Sequence, residues 1–263
     1  MGGYFSYNKC DNNYNYNWIR DSLDNRDIIK SYSEKSGETH IDLRKHCPGI
    51  YNSRLNDSVT SSLAAMYEYY KILDDRNFID IPSRLFMYYN ERQLLNTIPQ
   101  DSGSQIRIGL RAMNKFGVSM EKFWRYDIDN LSIKPPDKCY INANHSIYYF
   151  RLNQDLNTLK QSLIKKLPFV FGCCVYRDYL LSKLNGGLLL LPDKKEEVED
   201  YISFMCVGFD DKKKHFIIRN NQGLLWGDKG YGYIPYFYIL NKNLCTDFWS
   251  FRIKNPKITN IGE

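Results

Sequence analysis

The sequence predicts an α+β fold in which helices fill the first half and antiparallel strands the second. Three observations carry this. Apolar residues recur at steps of three and four through Leu63–Leu73, Leu85–Tyr89 and Ile106–Met113, which is the pattern of one helix face. After residue 168 the apolar residues fall in short runs bounded by turn residues, as strands do. The chain has 263 residues, 43% of them hydrophobic and 15% aromatic, which suffices for a large core.

The elements follow in order. Residues 1–17 are rich in Asn and Tyr and aperiodic, an arm with little to bury. Ile41 to Arg44 alternates as a short strand. A long helix begins at Asp57 or Ser58, either of which can cap it with a side-chain oxygen. Leu63, Met66, Tyr67, Tyr70 and Leu73 form its stripe, and Ala64 and Ala65 permit close packing behind. Ile81–Arg92 is a second helix entered through Pro82 and Ser83. Asp101–Val118 holds a third, with Ile106, Leu110 and Met113 inward and Gly117 at the end, where φ > 0 is needed. Residues 128–147 are polar, with Pro135 and Pro136, and read as a connection. Leu156, Leu159, Leu163 and Leu167 mark a helix that stops at Pro168. Phe169–Tyr176 is a strand buried on both faces, so Cys173 and Cys174 are core thiols. Tyr201–Phe209 and Phe216–Asn220 flank a hairpin turn at Asp210–His215.

Composition excludes several classes. A net charge of +6, without basic residues interleaved with aromatics, gives no footprint for nucleic acid. Seven scattered cysteines, an odd number with no C-x-x-C and no secretory leader, fit reduced thiols in a cytoplasm-like compartment. No apolar run approaches the roughly 20 residues of a membrane span. No cluster has metal-ligand spacing, and the G-x-x-G-x-G at Gly227–Gly232 opens no helix, so neither a metal nor a cofactor is expected. His46 beside Cys47 lies in an extended stretch, where neighbours diverge and cannot act as a dyad. Met1-Gly2-Gly3-Tyr4-Phe5-Ser6 fits the loose frame for N-myristoylation at Gly2, and only that would bring the chain to a membrane.

Several stretches together resemble the papain-like (cathepsin-like) cysteine peptidase family, in a microbial and viral branch. Pro82-Ser83-Arg84-Leu85-Phe86 with Tyr88-Tyr89-Asn90 and Arg92 is similar to its "P-S-R-L-F-x-Y-Y-N-x-R". Asp101 to Val118 is similar to "D-x-G-x-x-I-R-x-G-(I/L)-x-A-(L/M)-x-K-x-G-V". Trp18 to Asp27 resembles its "G-W-x-P-D-x-x-D-x-R-D" without the Gly and Pro. The resemblance implies two lobes, a helical left lobe with a long central helix and an antiparallel, barrel-like right lobe. It divides the chain into an arm or prosegment-like extension (1–39), a peptidase-fold domain (40–252) and a tail (253–263).

The same resemblance places the site. Tyr51–Ser58 parallels "Y-D-Q-G-x-L-G-S-C" with one residue fewer, which puts Ser58 at the nucleophile and Ser53 approximately at the oxyanion-donor Gln. Tyr201–Asp211 parallels "G-H-A-V-x-x-V-G-(Y/F)-D-D", which puts Ile202 at the base. Arg219-Asn220-Asn221-Gln222-Gly223 parallels "R-N-S-W-G", which keeps the orienting Asn220 and sets Gln222 where a Trp shields it. Isoleucine accepts no proton, and losing such machinery costs roughly 10⁶ in turnover, about 8 kcal/mol. The implied protein is a catalytically inactive homologue, a pseudopeptidase. Its inter-lobe cleft, with Asn56, Asp57, Leu188 and Gln222 along it, binds a peptide or protein partner. Two rivals remain: a hydrolase using Ser58 or another nucleophile with an unforeseen base, and a structural or membrane-tethered component of a virus particle.

Overall fold

The computed structural model describes residues 17–145, 147–181, 184–193 and 195–253. The central helix, α1, spans Ser58–Asp74 and is buried over most of its length. Helices α2 (Arg84–Leu95) and α3 (Ile106–Phe116) pack with it. Gly109 of α3 sets the closeness of that packing. A Cβ there would lie 2.4 Å from Leu63 Cδ1 and 3.3 Å from Val59 Cγ1, so only hydrogen fits. Ser83 caps α2 by accepting from the Phe86 N–H, and α3 ends at Gly117, φ +79°, as its residue type requires. Asp57 is the cap residue of α1, but its carboxylate makes no capping bond. That corrects the expected cap: its side chain is turned into the lobe interior.

Two short helices, α4 (Asp137–Ile141) and α5 (Leu156–Ile164), follow. The strands are β1 (Ile29–Lys30), β2 (His40–Asp42), β3 (Ile147–Leu152), β4 (Phe169–Val175), β5 (Asp200–Asp210), β6 (His215–Arg219), β7 (Tyr231–Pro235) and β8 (Cys245–Ile253). Among the described residues they form one sheet in the order β1-β3-β8-β4-β5-β6-β7, with β2 beside β5. All pairings are antiparallel except β1 with β3. Strands β3 and β8 lie outside the stretches that local pattern marks as strands. Two nearby readings also change. Residues Arg44–His46 form a 3-10 turn, not extended chain. His215 is the buried first residue of β6, stacked on Tyr233 at 4.7 Å, and not a hairpin tip.

The architecture is α+β and two-lobed. α1 lies against β5 and β4, so its N-terminus meets the start of β5 at the seam between helices and sheet. The segment from Asn17 to Lys30 is packed into this body. Trp18 is 1% exposed, and its ring fills the space over β4 at Gly172, where a Cβ would come within 1.9 Å of it.

Candidate functional site

The seam at the N-terminus of α1 brings Ser58 beside the start of β5, next to Ile202. Ser58 is 1% exposed, and its Oγ accepts from the Ser203 N–H at 3.1 Å. One turn along, Ser62 Oγ donates to the Ser203 carbonyl at 3.0 Å. Residues four apart share a helix face, so two serines of α1 satisfy both backbone groups of one residue of β5. Ile202, just before it, is buried and sits opposite Cys173 of β4.

Asn220 is also buried. Its amide donates to Tyr179 Oη at 3.1 Å, and its carbonyl oxygen accepts from the Asn221 N–H. Tyr179, on the short helix α6 (Arg177–Leu180), packs on Trp226 with ring centroids 5.4 Å apart. Gln222 is exposed, and its backbone bridges to Asn52. Asn220 is therefore held by Tyr179, which packs in turn on Trp226, and the local motif singled out neither.

Other expected cleft residues are placed differently. Asp57 is 1% exposed and cannot face a ligand. Burial pushes its carboxyl up from the usual carboxylate range, and the Arg84 guanidinium partly offsets this. Ser53 Oγ shares a hydrogen bond with Ser61 Oγ at 2.9 Å and accepts from Arg84 Nη1 at 3.3 Å. Its hydroxyl thus serves the interior of the helical lobe. Asn56 is held by Asp101, whose carboxylate accepts from the Asn56 N–H and whose carbonyl accepts from its amide. Leu188 pairs with Tyr233 on the outer edge of β7. Gly2 lies outside the described residues.

Across the seam runs the segment that carries Trp18. The Ile19 N–H donates to the Ser104 carbonyl and the Ser104 N–H to the Asn17 carbonyl, while the Trp18 N–H donates to Tyr201 O at 2.8 Å. Asn17 Nδ2 reaches Asp200 at 2.9 Å. One side of the segment is thus bonded to the residues before α3, and the other to the start of β5, next to Ile202. Asp21 anchors the far end. Its carboxylate accepts from Trp249 Nε1 and from the Arg107 N–H, and its own N–H donates to Asp247. Burial and the neighbouring Asp247 carboxylate push the Asp21 carboxyl up to about 7.

The four histidines stand elsewhere. His40 and His215 face Asp210 in register, eight residues along β5 from Ile202, roughly 26 Å at the strand rise. His46 feels Lys45, Arg76 and Lys166, and Arg76 lies beyond the opposite end of α1. His145 is exposed, beside the bridge between Asn144 and Val118. Cys47 bonds to the Leu43 carbonyl, and burial pushes its thiol up to about 11. Among the described residues no helix is long and apolar enough to cross a membrane.

A long helix wedged by its N-terminus against a mostly antiparallel sheet, with Ser58 bonded to the strand residue next to Ile202, is the architecture of a papain-like protein. No protein-family model matches the chain. A peptidase C1-like protein of Acanthamoeba polyphaga mimivirus is 31% identical over 279 aligned positions, covering 94% of this chain and 90% of that one. The crystal structure of xylellain, a cysteine protease from Xylella fastidiosa, superposes with a TM-score of 0.81 at 34% identity, over 95% of this chain and all of that one. Procathepsin B S9 of Trypanosoma congolense shares the fold at a TM-score of 0.68 and 14% identity, over 87% and 82% of the two chains. The chain belongs to the papain-like, peptidase C1-like family.

Proposed function

We propose that this chain is a non-catalytic member of the family, a pseudopeptidase whose inter-lobe groove serves binding. The observation that carries the reading is the state of Ser58. Its oxygen is buried and already accepts the Ser203 N–H, so it is spent on joining helix to strand. A serine nucleophile needs a base within hydrogen-bond reach, and the neighbour on β5 is Ile202. The four imidazoles are held at other places by Asp210, Tyr233 or solvent.

Asn17–Ile19 crosses beside this position, bonded on one side to Ser104 and on the other to Tyr201. A peptide or protein partner that enters the groove has to displace it. Trp18→Ala removes the buried ring that seats the segment and leaves Ser58 intact, so it separates a blocked site from an incompetent one. The test is peptide-library hydrolysis by wild type, Trp18→Ala and Ser58→Ala, at acid and neutral pH. The expected outcome is background turnover in all three. Hydrolysis by wild type or Trp18→Ala that Ser58→Ala abolishes would overturn the reading.

A further inference from the structure

Away from the seam, a cavity of about 370 Å³ opens between α3, the segment 24–28 and strands β3 and β8. Its size falls within the range of small-molecule sites, roughly 300–1,000 Å³. Arg107, Arg111 and Asn114 line it from α3, and their spacing of four and three places them on one helix face. Tyr149 and Trp249 line it from the sheet, with ring centroids 6.0 Å apart.

The charges in this cavity are unequally satisfied. Asp27 is bidentate to Arg107, at 3.0 and 2.6 Å, and also meets Arg151 at 3.3 Å. Asp24 is bidentate to Arg26. Arg111, Asn114 and the Tyr149 hydroxyl line the same space, and none of them makes a hydrogen bond or ion pair among the described residues. The uncompensated cation is Arg111, with an amide and a phenol as neighbouring donors and two aromatic rings as the apolar surface.

We propose that this cavity is a binding site for a small organic anion, a carboxylate or a phosphate carried on a ring-sized apolar body. Arg111 is its charge partner, and Tyr149 and Trp249 pack its apolar part. Guanidinium is suited to either anion because its planar N–H fork matches both. The cavity has a second consequence. The wall formed by Arg26 and Ile28 belongs to the same segment that lays Trp18 across the seam. A ligand that needs this wall binds only the docked segment, and by mass action it holds the segment down. The site therefore couples an external anion to groove occlusion, whether or not Ser58 is catalytic.

The experiment uses the full chain, titrated calorimetrically at low salt with phenyl phosphate, benzoate and inorganic phosphate, alongside Arg111→Ala. Arg111 is exposed and unpaired, so its variant should keep the wild-type unfolding midpoint. Binding of phenyl phosphate or benzoate, weakened about tenfold or more in Arg111→Ala, is the expected result, and the tighter of the two identifies the anion. The bound probe should also slow limited proteolysis within residues 17–28 of the wild type and not of Arg111→Ala. No binding of either ring-bearing probe at about 10 mM, equal binding by Arg111→Ala, inorganic phosphate matching phenyl phosphate, or unchanged proteolysis would overturn the proposal.

Discussion

Around α1, α2 and α3 the interior holds ionisable groups, whereas on the sheet side it holds stacked rings. Glu91 is fully buried and accepts from Thr60 Oγ1 at 2.8 Å. Arg92, equally buried, donates to the carbonyls of Tyr88, Gln100 and Leu131. Arg84 lies between the rings of Tyr51 and Tyr126, 4.4 and 4.0 Å from their centroids. Across the seam, Phe171 stacks on Phe248 at 5.3 Å and 2°, and Phe169, Phe204 and Phe216 pack round them. A buried polar group is tolerated only with its partners in place, so each one fixes a direction. Apolar packing fixes volume and leaves direction freer. The interior of the helical lobe is specified by bonds and the ring cluster inside the sheet by fit. Ser58 and Ser62 extend the first mode across the seam onto β5.

The largest test of this contrast is on the sheet side. Phe171→Ala should cost about 3–5 kcal/mol, from lost transfer energy and the cavity left behind, read as a fall in the urea midpoint at unchanged slope. A cost near that of a surface substitution would mean that this ring cluster is not what holds the strands together.

At the seam the expected effect is smaller and of another kind. Ser58→Ala leaves the Ser203 N–H buried without its acceptor, which costs about 1–3 kcal/mol. Amide hydrogen exchange at Ser203 should rise in this variant. A stability equal to wild type would show that the Ser58–Ser203 bond contributes nothing, and would free Ser58 for other chemistry.

The third test is in the helical lobe and depends on pH. Burial, with a further push from Asp57, raises the Glu91 carboxyl from 4.5 to about 8. A carboxyl raised on folding contributes stability that is full below its unfolded value and is lost as pH rises to the folded value. Between those two values the folded state holds a proton that the unfolded chain has released, so wild type should lose stability progressively from about pH 5 to about pH 8 through this group. Glu91→Gln, which keeps an acceptor for Thr60, should stay within about 1 kcal/mol of wild type at neutral pH and flatten that slope. An unchanged slope in Glu91→Gln would assign the pH dependence to another group.

Legibility differed by element. The stripe of α1, the stop of α3 at Gly117 and the all-buried strand β4 were readable because each depends on neighbours two to four residues away. Strands β3 and β8 were not, since their pairing with each other joins residues about a hundred positions apart and neither carries a strict alternation. The burial of Asp57 carries no local signal, because its residue type suits a helix cap. Only the packing of Tyr126 and Arg84 round it reveals that it points inward.

By itself the sequence determined the family resemblance, because motifs such as Pro82-Ser83-Arg84-Leu85-Phe86 are read without geometry. It also determined the order of helices before strands, through periods of 3.6 and 2. Tertiary structure alone decided that Ser58 bonds to Ser203, 145 residues away, that Asn220 bonds to Tyr179, and that the Trp18 ring covers Gly172. Among the described residues it alone left Arg111 without a hydrogen bond or ion pair while binding Arg107 to Asp27. The physical reason is that a hydrogen bond or a packed ring is selected by distance in space, and chain closure brings together residues whose separation along the sequence carries no local signal.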